Sequence, residues 1–398
     1  MEETIEKIKG NIKKYYFYQF FNNLVFFTPV IVLFWQSRGL NMTQIMTLQS
    51  IYSIAVIILE VPTGAFADRF GKKISLVFSS LLWGSGVFLY GLSSNFWQFA
   101  LAEIICGTGA AFVSGADRAF IHETLKSLEK EKDYSQTEGR VRGFTQIGQS
   151  LGSILGGFIG SISFGLTLIL TSFTSFVAFF VGLSFSKPQT KLDRDEKTNY
   201  RQIIRESLDI IRKNQQILWL ALFFAIFHSL IWVTNWSSQP YFQMLKVPIV
   251  YFGLIFASFG LVAAIASAGT ARLMKATGGQ PFLIMSLTAV VSMFLLGSFP
   301  RILLIPLWSL FGALALINRT VVSAKTLTLV PADRGATVLS FQNLLSRLLY
   351  AAYGPIFGAL SDSFGIALTL QINALILALV VGLLLLTEKR FKTNSEKI

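Results

Sequence analysis

About twelve apolar runs, each roughly 19 to 26 residues long, follow one another through this chain, and no other feature narrows the choice of fold as much. A run of roughly 18 or more apolar residues with few charges is long enough, at about 1.5 Å per residue, to cross the hydrocarbon core of a bilayer as a helix. The expected spans are 15–37, 43–66, 74–93, 96–119, 141–162, 165–186, 216–240, 249–273, 281–299, 302–327, 337–360 and 365–387. Only 14% of the residues are charged, against about 25% in a soluble domain. The fold class expected is therefore an all-α polytopic membrane protein with 12 transmembrane helices lying in a lipid bilayer.

The formal net charge is +13, but its distribution speaks against nucleic acid. Of the 34 basic residues, 28 fall in the N-terminal segment, the C-terminal segment or alternate loops between spans; the opposite loops hold only Arg38, Lys246 and Arg301. That is the asymmetry of the positive-inside rule, so the N- and C-termini are expected on the cytoplasmic side of a cell membrane. Cys106 is the only cysteine, which excludes an internal disulfide. The first apolar run is too long for a signal-peptide core, and no small-residue cleavage site follows it.

One long polar connection divides the chain near its middle. The expected organisation is an N-terminal six-helix bundle over 1–186, a cytoplasmic linker over 187–215 and a C-terminal six-helix bundle over 216–398. Within the linker, Tyr200 to Lys213 alternates isoleucines with charges as an amphipathic helix on the membrane surface does. Traces of an internal repeat relate the halves. "GSILGG" from Gly152 is echoed by "GPIFGA" from Gly354, and the same offset of 202 positions takes Asp117 to Arg319. Parallel repeats of this kind build transporters that bind substrate between their halves.

"GAFADRFGKK", after the second span, resembles the loop 2–3 signature of the major facilitator superfamily, through Gly64, Ala67, Asp68, Arg69, Gly71, Lys72 and Lys73. With twelve spans and a six-plus-six division, the resemblance covers the whole chain. It implies two pseudo-symmetric bundles in the major facilitator fold and a gating role for Gly64, Asp68, Arg69, Gly71, Lys72 and Lys73. Asp68 is expected to latch the cytoplasmic side, with Asp117 or Glu123 pairing with Lys72 or Arg69. The second-half counterpart, "ARLMKATGGQ" from Ala271, is degenerate. "GQSLGSILGG" is similar to the fifth-helix motif of the drug:proton antiporters, the 12-span exporter group, through Gly148, Gly152, Gly156 and Gly157, with Ser153 in place of a proline. These glycines are expected at a close helix contact between the halves.

Ionisable groups inside spans are functional candidates because they are costly to place there. Glu60 is the first proton-coupling candidate; the competing reading is a structural acid paired with a base. Glu103 and Asp117 are further candidates. Arg347, midway along the eleventh span, needs a carboxylate or carbonyl partner, water or an anionic substrate, because arginine stays charged. Arg319 lies nearer a span end. A substrate pocket is expected from polar and aromatic residues at mid-span depth: Asn22, Asn23, Gln146, Gln149, His228, Trp232, Asn235, Trp236, Arg319, Asn343, Arg347 and Tyr350.

No P-loop accompanies Gly71-Lys72-Lys73, no Cys/His cluster suits a metal, and the loops have no room for a catalytic domain. The chain is thus expected to be a monomeric secondary transporter that needs no cofactor and is not an enzyme. Its expected activity is proton-coupled efflux of an amphiphilic small molecule by rocker-switch alternating access. The alternatives are proton-coupled uptake of an anionic solute, and a non-transporting membrane receptor or enzyme.

Overall fold

A computed structural model describes residues 2–188, 211, 214–270, 272, 280–331 and 334–395, and every regular element in them is helical. The amphipathic segment expected over Tyr200–Lys213, apart from Ile211, lies outside the described residues, as does most of "ARLMKATGGQ". The chain forms two compact units. Unit 1 comprises Met1–Leu40, Ile51–Asp193 and Val247–Ala257; unit 2 comprises Asn41–Ser50, Arg194–Lys246 and Ser258–Ile398. Each unit therefore contains a short segment from the half of the sequence that mainly builds the other.

In chain order the helices are α1 (Glu2–Asn22), α2 (Ile31–Ser37), α3 (Met42–Phe70), α4 (Lys72–Leu92), α5 (Phe96–Val113), α6 (Ala116–Lys126), α7 (Tyr134–Ile162) and α8 (Phe164–Leu183). They continue as α9 (Gln215–Trp236), α10 (Ser238–Met244), α11 (Phe252–Ala268), α12 (Pro281–Ser298), α13 (Leu307–Leu327) and α14 (Gly335–Ser395). Among the described residues, 9 helical segments are long and apolar enough to cross a membrane. One of them, within α14, is two spans joined at Gly365, where φ is 74° and ψ 164°. The broken first span and the more polar α7 complete the expected twelve.

The first span departs from the single helix expected over 15–37. α1 stops at Asn22, and residues 23–30 are irregular before α2 begins. Backbone groups freed in a membrane must find partners inside the protein. Here α8 supplies them: the Phe26 N–H donates to Thr171 Oγ1 at 2.9 Å, and Thr174 Oγ1 donates to the Leu24 carbonyl at 3.0 Å. The glycine face of α7 makes the room. A Cβ at Gly148 would lie 2.6 Å from the Phe20 carbonyl and one at Gly152 2.7 Å from the Val25 nitrogen, while one at Gly156 would collide with the Phe26 carbonyl. Only Gly157 of that motif meets the second half of the sequence, at Gly253. Three of the four glycines expected between the halves thus serve the broken span of their own half.

Two more boundaries differ from expectation. Residues 64–70 are helical, so the expected loop 2–3 shrinks to Gly71, at φ 99° and ψ 150°. The fourth span breaks after Val113, and Gly115, at φ 78°, redirects the chain into α6.

The core of unit 1 gathers Tyr15, Tyr18, Leu76, Phe120, Ile121 and Phe185. The two tyrosines keep their hydroxyls satisfied, Tyr18 on the Leu76 carbonyl at 2.8 Å and Tyr15 on that of Asp117 at 3.0 Å. In unit 2, buried Asn373 donates to Thr234 Oγ1 at 2.8 Å and accepts from the Tyr353 hydroxyl at 2.9 Å, tying α9 to both arms of α14. The segment Asn41–Ser50 is held in the same unit by Asp362, whose carboxylate accepts from the backbone N–H of Met42 (2.9 Å) and Thr43 (2.8 Å) and from Thr43 Oγ1 (2.6 Å). A carboxylate at a helix start meets free N–H groups and the positive end of the helix dipole.

Candidate functional site

The signature around Gly71 builds an ionic cluster at the α3–α4 joint. Asp68 pairs with Lys72 across the glycine. Both act electrostatically on Glu123 of α6, so Glu123 is the acid that extends the cluster. Asp117, the other acid expected there, instead accepts from the Arg118 N–H at 2.7 Å in the first turn of α6. The break at Gly115 separates it from the apolar part of the span. The Arg69 guanidinium sits 5.3 Å from the centre of the Phe70 ring, and Lys73 feels the charge of Lys14. Around Gly64 a side chain would meet nothing within 4 Å, so close packing is not what that glycine provides.

The two acids deeper in unit 1 have opposite surroundings. Glu60 is exposed on α3, and its carboxylate accepts from the Ser114 hydroxyl at 2.8 Å, at the break between α5 and α6. Glu103 is 2% exposed and lies beside Tyr90 and Cys106, in hydrogen-bonding contact with the Tyr90 hydroxyl. Neither Ser114 nor Tyr90 stands out in the sequence, since serine and tyrosine are common in apolar helices and both partners are distant along the chain.

Unit 1 also brings together its expected polar residues. Gln149 Nε2 donates to Asn23 Oδ1 at 3.3 Å, Asn23 Nδ2 donates to the Gln19 carbonyl at 2.8 Å, and Gln146 Nε2 reaches Ser150 Oγ at 3.2 Å. Asn22 Oδ1 is buried with no hydrogen-bond partner among the described residues. The break in the first span aligns these amides with α7.

In unit 2 the expected residues fall on two helix faces. Along α9, Phe224, His228 and Trp232 form a column of stacked rings, with centroids 5.3 Å and 5.6 Å apart and interplanar angles of 15° and 14°. Asn235 and Trp236 are half-buried one turn further on, the Asn235 amide reaching its own helix at the Ile231 carbonyl (3.4 Å). Along α14, Asn343 is exposed and Arg347 half-buried, while Arg319 is exposed on α13. Tyr350 is 7% exposed in an apolar cluster with Met46, Val233 and Phe357, and so acts as packing for the residues around it.

A family model described as the Major Facilitator Superfamily matches residues 15–351. The chain belongs to this superfamily. As a major facilitator protein it is a multi-pass membrane transporter. It is 26% identical over 387 residues to an uncharacterised MFS-type transporter, YxaM, of Bacillus subtilis, with 94% of each chain covered. A tetracycline resistance protein, class H, of Pasteurella multocida is 24% identical over 181 residues, which is 45% of this chain and 44% of that one. Among solved structures, a bacterial homologue of the human lysosomal transporter Spinster, inward-facing and unoccupied, superposes with a TM-score of 0.77 at 15% identity, covering 99% of each chain. At that identity the likeness speaks for the transporter's fold alone.

Proposed function

We propose that this transporter exports an amphiphilic small molecule from the cell in exchange for protons, working as a monomer in the plasma membrane by rocker-switch alternating access, with both termini cytoplasmic. The observation that carries the reading is the placement of Glu60. Its carboxylate sits within a membrane helix and accepts from the Ser114 hydroxyl, and an ionisable group so placed is a functional candidate because of what it costs there. Asp68, Arg69, Lys72 and Lys73, with Glu123, form the charged cluster that opens and closes with the cycle. Partial similarity to a protein named for tetracycline resistance supports the outward direction and an amphiphilic cargo.

The test is transport into everted vesicles or proteoliposomes under an imposed proton gradient, with carboxyfluorescein and ethidium as probes of opposite charge. A gradient should drive accumulation of at least one probe, and Glu60→Gln should remove the gradient's effect while leaving the protein folded. Transport by Glu60→Gln with an unchanged pH dependence would sink the assignment. The two arginines of unit 2 favour a second reading, proton-coupled uptake of an anionic solute. Gradient-driven movement in the opposite direction would select it.

A further inference from the structure

Where α1 stops within the first span, its polar side chains form a chain of hydrogen bonds with a single direction. Tyr15, Gln19 and Asn23 follow one another at four-residue spacing, so one face of the helix carries all three. The Tyr15 hydroxyl donates to the Asp117 carbonyl of α6 at 3.0 Å, and Gln19 Nε2 donates to Tyr15 Oη at 2.7 Å. Asn23 Nδ2 donates to Gln19 Oε1 at 3.2 Å and to the Gln19 carbonyl at 2.8 Å. At the far end Gln149 Nε2 of α7 reaches Asn23 Oδ1 at 3.3 Å.

A side-chain amide presents its oxygen or its nitrogen according to its partners, and here the α6 end decides. The Asp117 carbonyl can only accept, so Tyr15 must donate to it. Gln19 must then give Tyr15 its N–H2 and turn its oxygen to Asn23, which gives its own N–H2 to Gln19 and presents Oδ1 at the break. Tyr15 and Gln19 are buried, so water does not compete for these groups. Gln149 gives an N–H to the Asn23 oxygen and keeps Oε1 as an acceptor. Asn22, three residues from Gln19 and so on the same face, has Oδ1 buried without a hydrogen-bond partner among the described residues. These three side-chain oxygens belong to the C-terminal end of α1, where the helix dipole is negative. The sequence places no charged residue in 15–37 or 143–186, so amides and helix ends set the polarity here. The exposed apolar row of α7, Ile147, Leu151, Ile154 and Phe158, is its lipid face. Gln149 is exposed about 170° around the helix from the middle of that row, on the side away from lipid.

We propose that the break in the first span binds a primary ammonium group of the cargo through Asn22 Oδ1, Asn23 Oδ1 and Gln149 Oε1, with Gln19 and Tyr15 as positioning residues that turn the Asn23 oxygen towards it. An alkylammonium has three N–H donors and no acceptor, which matches three oxygens one to one. A quaternary ammonium keeps the charge and has no N–H to give. A carboxylate meets only oxygens and the negative end of a helix. Discontinuous membrane helices place the ends of their half-helices at binding sites in this way. The inference rests on the transport reading and narrows its amphiphilic cargo to primary amines.

The experiment measures binding to the purified full-length transporter by isothermal titration calorimetry, in an uncharged detergent at neutral pH. The probes are the 2-naphthylmethylammonium ion, its N,N,N-trimethyl analogue, 2-naphthoate and sodium chloride. The primary ammonium should bind about ten-fold or more tightly than the trimethyl ion or the carboxylate, which is the worth of one hydrogen bond to a charged group. Asn22→Leu removes one oxygen at similar volume and should lower the ratio of primary to trimethyl affinity about five-fold or more. Gln149→Met, at an exposed position, should lower it too and serves if Asn22→Leu does not fold. Tyr15→Phe keeps the ring against Phe120 and Phe185 and frees Gln19 to turn. It should lower the same ratio about three-fold, whereas a purely structural role would weaken both ammonium ions alike. The proposal is overturned if the trimethyl ion or the carboxylate binds as tightly as the primary ammonium. It is also overturned if the ratio survives these substitutions in folded protein, or if sodium and not the amine gives heat that depends on Asn22. The transport reading fails separately: an Asn22-dependent preference for the primary ammonium without gradient-driven movement keeps the site and removes proton coupling. Gradient-driven export of ethidium without that preference does the reverse.

Discussion

Gly71 joins α3 to α4 alone, and its backbone, at φ 99° and ψ 150°, occupies a region essentially closed to residues with a Cβ. Gly365 does the same between the two arms of α14, at φ 74° and ψ 164°. Holding an L-residue in such a conformation costs about 1–3 kcal/mol. Gly71→Ala and Gly365→Ala should therefore each lower the thermal unfolding midpoint in detergent. Gly64→Ala, with open space around its Cβ and an ordinary helical backbone, should leave the midpoint unchanged or raise it slightly. Equal midpoints for all three variants would show that the two joints relax without strain. The family signature thus contains one glycine needed for its backbone angles and another whose role is not packing.

Among the elements, α3 has the most unusual position, because its first residues are counted with unit 2 and the remainder with unit 1. Asp362 holds its start by three hydrogen bonds, two of them to backbone N–H groups. Losing a carboxylate at such a place typically costs about 1–2 kcal/mol. Asp362→Ala should lower stability by about that amount and speed hydrogen exchange at residues 42–45, with Asp362→Asn falling between it and the parent. Unaltered exchange there in Asp362→Ala would mean that packing alone holds the segment. The broken first span has the same logic: hydroxyls of α8 and glycines of α7 replace what a continuous helix would have provided for itself. In sequence, the length of the apolar run carries a single span through "NNLVFFTPVIV", because hydropathy registers side chains while the break is a matter of backbone partners, with Pro29 as its one local sign. The span count, set by the length of apolar runs, was legible; the places where spans stop being helical were not.

For the whole molecule, the alternating access proposed above would require segments that change neighbours during the cycle, and Asn41–Ser50, counted with unit 2 while the rest of α3 is counted with unit 1, is the segment to test. In a Cys106→Ser background, Thr43→Cys combined with Asp362→Cys should form a disulfide on oxidation, since these side chains meet directly. The oxidised protein should bind its cargo yet transport at a small fraction of the reduced rate, with recovery on adding reductant. Full transport by the oxidised form would show that the segment stays with Asp362 throughout. The candidate site was partly legible at this scale. Arg319, Arg347 and His228 stand out because charged and titratable groups are rare in apolar runs, whereas the contacts that set α9 and α13 against α14, Ser229–Ser346 and Gln342–Thr326, are pairs that no local pattern announces. The hold on α3 also has a consequence for mutational tolerance. Two of its three bonds end on main-chain nitrogens, which every residue but proline supplies. In a saturation screen, positions 42 and 43 should accept most replacements while position 362 accepts few. A junction between the two halves of the sequence would then depend on the identity of one residue only, and drift on the other side would leave it closed.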